Sequence, residues 1–341
     1  MPTPDPVLVC DDVSKTFVSG PPGFGRTRVS AVHHVSLSVA PGESVGIVGE
    51  SGCGKTTLAR MLVGLERPDQ GTITVAGRDV TSARGRDRQA LSRQVQMVFQ
   101  DPYLSLNPRM TVLDLVGEPL VVHRTHRGAT ERRERVAELL DAVGLSPDMM
   151  SRYPHQFSGG QRQRIGIARA IALEPSVLVC DEPVSALDVS VQAQVVNVLR
   201  GLQERLGLAI VFIAHDLGVV RHMTDRTAVM YLGTVVEDAP SAILFDAPTH
   251  PYTQTLLAAS PRMGRRGERR RRDRVVPVGE PPSPTDPPSG CRFHTRCPLA
   301  TQVCQDVEPT LGSRGPGHTV ACHHADEATG RGAALARVQL G

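Results

Sequence analysis

The sequence predicts an α/β fold with a parallel sheet, and three stretches carry that expectation. The apolar run Ser44-Val45-Gly46-Ile47-Val48 leads straight into Gly49-Glu50-Ser51-Gly52-Cys53-Gly54-Lys55-Thr56-Thr57, after which Leu58 to Val63 is apolar at helical spacing. A second run, Val177-Leu178-Val179-Cys180, has no polar alternation, as expected of a strand buried on both faces, and it ends in Asp181-Glu182. A third, Leu208 to Ala214, ends at His215. At 341 residues the chain has room for one large domain with a smaller one, or for two of ordinary size.

The first stretch has the spacing G-x-x-x-x-G-K-[ST]. Its glycines let the backbone curl so that successive N–H groups point inward at an anion, and the helix beginning near Lys55 adds the positive end of its dipole. Lys55 is placed to reach the β- and γ-phosphates of a nucleotide, and Thr56 to offer a hydroxyl to Mg²⁺. A plain Gly-rich turn is the simpler meaning of the motif alone. The strand before it and the helix after it are the context that favours phosphate.

Upstream, Val7 to Cys10 and Ala31 to Val39 are expected strands, the second alternating like one face of a half-exposed sheet, with a Gly/Pro loop between them. Phe17 closes the first segment; its ring suits stacking on a flat base, or a place in the core. After the cradle, Gly71 to Gly77 is a strand ending in a turn, and Val95 to Phe99 is another strand, followed directly by Gln100. Open α/β folds bind ligands just beyond the carboxyl ends of their strands, so Gln100 is a candidate for Mg²⁺ or the attacking water, its plainer role being a strand cap.

From Asp101 to Phe157 the pattern turns helical, as at Val112 to Val116 and Arg132 to Val143, and a helical lobe of about residues 101–160 is expected. It closes with Ser158-Gly159-Gly160-Gln161 opening the helix Ile165 to Leu173, which reads either as a second anion site or as an ordinary N-cap. Asp181 and Glu182 are costly at the end of a buried strand unless paired with a cation. Asp181 is expected to hold Mg²⁺ through a water, and Glu182 to polarise the water that attacks phosphorus. Ser185 to Asp188 turns into a helix from Val191 to Leu206, and His215 stands where it can donate to a γ-phosphate.

Bulk properties narrow the class. Lys and Arg number 38 against 35 Asp and Glu, a net charge of +3, which does not suggest a protein built to coat nucleic acid. No apolar segment approaches the roughly 18 residues that span a bilayer, and Met1 to Asp12 lacks the basic start and apolar middle of a signal peptide. A cytoplasmic chain is expected, serving a membrane only by docking on another subunit.

Taken in order, Gly49 to Thr56, Gln100, Ser158 to Gln161, Asp181, Glu182, Asp188 and His215 resemble the ATP-binding cassette ATPases of ABC transporters, over about residues 7 to 260. The cradle is shared by many nucleotide hydrolases; the Ser-Gly-Gly-Gln signature is peculiar to this family. The resemblance implies a P-loop NTPase fold of the ABC-ATPase kind with an inserted helical subdomain. It also implies Phe17 near the adenine-stacking loop, Gln100 as the Q-loop residue, Asp188 in the loop crossing between subunits and His215 as the switch histidine. Two copies pair head to tail in that family, and Ser158, Gly159 and Gly160 of one close over ATP held by the other. Phe157 replaces the commoner Leu of the signature, and Thr56 stands where Ser is frequent; both changes keep the chemistry.

The phrases Asp101-Pro102-Tyr103-Leu104-Ser105-Leu106-Asn107-Pro108, Arg152 to Phe157 and His250-Pro251-Tyr252-Thr253-Gln254 are similar to the branch that energises oligopeptide and dipeptide importers, with nickel importers close by. That implies transmembrane permease subunits, a second ATPase subunit, identical or paralogous, an extracytoplasmic solute-binding protein, and a place on the cytoplasmic face of the membrane. Chromosome-maintenance and translation ATPases use the same cassette on nucleic acid. The former separate cradle and signature by a long coiled coil, for which the about 100 residues between Lys55 and Ser158 are too few, and the latter carry two cassettes per chain.

Between Arg262 and Arg274 lie eight arginines and two acids, followed by a Pro-rich stretch to Pro288, so residues 261–288 read as a linker, solvated or drawn to anionic lipid. Residues 289–341 then hold Cys291, Cys297, Cys304 and Cys322, four of the seven cysteines, with few large apolar side chains. So short a module needs an external staple. A reducing cytosol disfavours disulfides, leaving thiolates on a metal. The spacing C-x5-C-x6-C-x17-C is not that of zinc ribbons. A similar cysteine set in relatives of the peptide-importer branch ranks a [4Fe-4S] cluster first, zinc second and free thiols third, with His294, His318, His323 and His324 near enough to substitute. Such a module could also make the chain a redox- or metal-responsive regulator. Cys10, Cys53 and Cys180 read as small buried fillers.

Overall fold

The structure, a computed structural model, describes residues 5–19, 27–259 and 282–331. The Arg262–Arg274 run lies outside the described residues. The amino-terminal part supplies β1 (Leu8–Ser19), β2 (Thr27–Val39), β3 (Ser44–Val48), α1 (Lys55–Leu62), β4 (Gln70–Val75), β5 (Arg78–Asp79), α2 (Arg86–Gln94) and β6 (Val95–Val98). The chain is then helical through α3 (Pro102–Ser105), α4 (Val112–Val122), α5 (Ala129–Ala142) and α6 (Gly159–Ala170). There follow β7 (Val177–Asp181), α7 (Val189–Leu206), β8 (Ala209–Ile213), α8 (Leu217–Met223), β9 (Arg226–Tyr231), β10 (Thr234–Pro240), α9 (Ser241–Asp246) and α10 (Pro251–Ala259). The carboxy-terminal segment adds α11 (Gln302–Asp306), β11 (Gly312–Gly315), β12 (His318–Val320) and α12 (Ala325–Arg331).

Two sheets result. The antiparallel one has the order β2-β1-β4-β5, and the larger one the order β11-β12-β10-β9-β3-β8-β7-β6, parallel from β9 through β6. Every residue of β3, β7 and β8 is buried, which is why those segments carry unbroken apolar runs rather than an alternation. The period of two still sorts their side chains. Ile210 and Phe212 of β8 enter the core shared with α4, α6 and α7, whereas Ala209, Val211 and Ile213 enter the core under β1, β2 and α1. This central sheet therefore holds the ends of β3, β6, β7 and β8 rigid against packed layers on both faces.

The cysteine-bearing segment does not stand alone. Strand β12 pairs with β10, Glu237 opposite Val320 and Asp238 opposite Thr319, so the segment prolongs the main sheet. Phe293 is buried against Tyr231 and Tyr252, with ring centroids 5.2 and 5.4 Å away. Glu237, fully buried, accepts from the Thr249 and His250 amides at 2.8 and 2.9 Å and faces His318 Nε2 at 3.0 Å. A segment too small for a core of its own thus shares the core of the larger sheet. Cys10, Cys53 and Cys180 are buried fillers, as expected.

Candidate nucleotide site

The loop between β3 and α1 is laid tightly on backbone. A Cβ at Gly49 would come within 2.2 Å of the Met230 carbonyl oxygen, and one at Gly54, where φ is 104°, within 1.9 Å of that of Ala31. Only glycine lets the loop approach so closely. Gly54 is the N-cap of α1, so the first amides of the helix open onto the loop. Lys55 is buried and its Nζ donates to the carbonyls of Gly49 and Glu50 at 2.8 and 2.9 Å, which suspends the ammonium over the loop. Cys53 packs beneath, its Sγ 3.7 Å from the same Nζ. Ser51 and Gly52 complete the turn, and Thr57 lies in the first turn of α1.

At the strand ends, the residues singled out from sequence come together. Thr56 Oγ1 donates to Asp181 Oδ1 at 3.2 Å, and Gln100 Nε2 donates to Glu182 Oε2 at 2.9 Å. His215 Nδ1 lies 3.4 Å from that same Glu182 oxygen. Burial pushes the Asp181 carboxyl above its usual range, against the pull of the Thr56 hydrogen bond, with the charge of Glu182 adding to the rise. A cation would relieve a buried carboxyl disfavoured as an anion, and the hydroxyl bonded to it is a further oxygen donor; Thr56, Asp181 and Gln100 are the residues that could hold Mg²⁺. Glu182 has φ 46°, a left-handed conformation uncommon for a non-glycine residue, and its amide is fixed to the Ile213 carbonyl at 2.9 Å.

The signature turn is also an N-cap. Ser158 Oγ accepts from the Gln161 amide at 3.3 Å, and Gln161 Oε1 accepts from the Ser158 amide at 3.0 Å, a reciprocal cap at the start of α6. Gly160 is pressed on α7, where a Cβ would meet Val191 Cγ1 at 2.2 Å. Asp188 caps α7, accepting from the Val191 amide at 3.0 Å and from Ser190 Oγ at 2.6 Å, and the Ser190 bond holds its carboxyl below the usual range. Phe17 is 41% exposed with Lys15 Nζ 5.4 Å above its ring, so it does not serve as core.

A cleft of ≈ 750 Å³ runs from Thr56, Gln100 and Asp181 past Met97 and Phe99 to Val122 of α4. Sequence reasoning did not place it, because it forms between elements whose packing is not written in any one of them. Tyr252 is a further residue of the site that no local signal in the sequence marks: its Oη accepts the Glu50 amide at 2.9 Å.

The four carboxy-terminal cysteines are free and lie within one another's electric field. Burial, with mutual repulsion behind it, pushes Cys291 up to about 11 and Cys297 up to about 12. Among the described residues, however, no group of three or more His, Cys, Asp or Glu is arranged to hold a metal ion. The iron-sulfur or zinc centre expected from sequence therefore finds no support among the described residues. The staple which that expectation required is supplied instead by β12 on β10 and by the Phe293 cluster.

The chain matches the family described as ABC transporter over residues 32–185, and the family described as Oligopeptide/dipeptide transporter, C-terminal region over residues 236–304. It is 49% identical over 320 residues to the Oligopeptide transport ATP-binding protein AppF of Bacillus subtilis, covering 93% of this chain and 97% of that one. To the Di/tripeptide transport ATP-binding protein DppF of Pseudomonas aeruginosa it is 46% identical over 325 residues, covering 95% and 99%. Among solved structures, it is similar to the dimeric post-hydrolysis ATP-binding cassette MJ0796 bound to ADP and Pi. There the TM-score is 0.61 and the identity 29%, over 69% of this chain and 98% of that one. Cradle, carboxylates, signature turn and these likenesses agree, and the chain belongs to the family of ABC transporter ATP-binding proteins.

Proposed function

We propose that the chain is the ATP-hydrolysing subunit that energises import of di- or oligopeptides through partner permease subunits, bound peripherally at the cytoplasmic face of the membrane. No described helix is long and apolar enough to cross a bilayer, in keeping with a docked subunit. The observation that carries the reading is Glu182, held by Gln100 at 2.9 Å and facing His215 at 3.4 Å beside the Thr56–Asp181 pair.

The backbone amides of Gly49 to Thr57 and the Lys55 ammonium bind the triphosphate, and Phe17 stacks the base. Thr56, Asp181 and Gln100 would hold Mg²⁺, which would supply neutralisation of charge at the γ-phosphate. Glu182 accepts the proton of the attacking water, with Gln100 and His215 fixing the carboxylate and sensing the γ-group. Ser158, Gly159, Gly160 and Gln161 of a second ATPase subunit close the site from outside, with Asp188 in the crossing loop. Residues 1–260 form the nucleotide-binding domain, its helical subdomain spanning about 101–160, and residues 261–288 link it to the segment 289–341.

The cleft beside Gln100 is where a helix from the permease would dock, since one wall carries Gln100 and the other the exposed Val122. Closure at the nucleotide is then felt at the membrane. Cells lacking this subunit, supplied with the chain and its permease and solute-binding partners, are expected to regain uptake of a labelled di- or tripeptide. Restored nickel uptake without peptide uptake would overturn the cargo while leaving the ATPase intact. Phe17→Ala is expected to weaken ATP binding about 2- to 12-fold without lowering the melting temperature, an aromatic stack being worth about 0.5–1.5 kcal/mol. Equilibrium titration with ATP checks it.

A further inference from the structure

We infer that the carboxy-terminal segment braces the phosphate loop from behind, and that Arg296 is a positioning residue for nucleotide binding, acting through Glu50. Three groups of Glu50 are engaged. Its amide goes to Tyr252 Oη at 2.9 Å, its carbonyl takes Lys55 Nζ at 2.9 Å, and both its carboxylate oxygens lie 3.2 Å from Arg296 Nη1. Arg296 lies on the 3₁₀ turn His294–Arg296, between Cys291 and Cys297, and is only 6% exposed. A guanidinium so enclosed needs a carboxylate, and the one paired with it belongs to the loop that cradles phosphate.

A second arm runs in parallel. Arg292, also buried, donates from Nη1 to the Leu232 carbonyl in the turn between β9 and β10. The next residue of that turn, Gly233, donates its amide to the Cys53 carbonyl at 2.9 Å. Between the arms, Tyr231, Tyr252 and Phe293 pack with centroids 4.5 to 5.4 Å apart. The loop is therefore gripped at Glu50 and at Cys53 by a segment more than two hundred residues away in the chain.

Amides that must converge on phosphate bind tightly only if they are ordered beforehand; a loop released from its brace has to be ordered by the ligand. Such a loss falls alike on bound ATP and on the transition state, so it raises KM and leaves kcat nearly unchanged. That separates a brace from a residue touching the reacting atoms.

The inference rests on the nucleotide reading of the loop, and wild-type titration with a fluorescent ATP analogue tests that reading first. In the full chain, Arg296→Met is expected to bind the analogue roughly tenfold more weakly, as for contacting residues coupled through one ion pair. Glu50→Gln should do the same, and the double variant should be no weaker than either single one. Arg296→Lys should recover part of the affinity. In the assembled transporter these variants should raise KM with kcat within about twofold of wild type. Affinity unchanged in folded Arg296→Met, or losses that multiply in the double variant, would overturn the brace. If Arg296→Met does not fold, the volume-preserving Glu50→Gln and Arg296→Lys decide: wild-type affinity in both overturns it.

Discussion

Glu182→Gln lowers steady-state ATP turnover about 100- to 10,000-fold, the usual share of a general base, while ATP is still bound. The substitution keeps the length and shape of the side chain, so Gln100 and His215 still have a partner at 2.9 and 3.4 Å and the left-handed backbone at φ 46° is no worse served. What is lost is the charge that takes the water's proton. ATP therefore accumulates uncleaved between two closed subunits, and the variant should remain a nucleotide-dependent dimer on size-exclusion chromatography. Phosphate release at the wild-type rate, with partner and permease present, would move the base elsewhere, with His215 the next candidate.

Lys55→Ala removes the cation from beneath the phosphates. Hydrogen bonds to charged groups contribute about 1.5–3 kcal/mol, so ATP should bind roughly 10- to 150-fold more weakly. The Gly49 and Glu50 carbonyls also lose the donor that holds them at 2.8 and 2.9 Å, which loosens the loop that must receive the γ-group. Calorimetric titration with ATP, paired with a melting curve to show that the variant is folded, reads this directly. An unchanged affinity would show that Lys55 is not beneath the phosphate.

The parallel strands were legible because strands buried on both faces must be apolar throughout, as β3, β7 and β8 are. The chemistry was legible because motif residues lie at the ends of those runs, where the topology gathers Thr56, Gln100, Asp181, Glu182 and His215. Strand β1, expected only to Cys10, runs on to Ser19, because register shifts after Cys10 and Val13 break the alternation that marks a strand. Helix α2 was not foreseen, since Leu91 is its one buried residue and no apolar stripe is written into it. The β9–β10 hairpin turns at Leu232-Gly233, with Leu232 at φ 43°, where sequence would lead one to look for Asn-Gly. The Arg296–Glu50 pair spans 246 positions, and nothing local to either residue announces the other.

Adding two strands to the larger sheet also relocates its rim. The outermost strand is now Gly312-Ser313-Arg314-Gly315, four solvent-facing residues with two glycines and a cation. Short, charged and poor in β-formers, it is a weak template for another chain's backbone. The cysteine-bearing segment thereby leaves the larger sheet with a rim that resists pairing edge to edge with another chain.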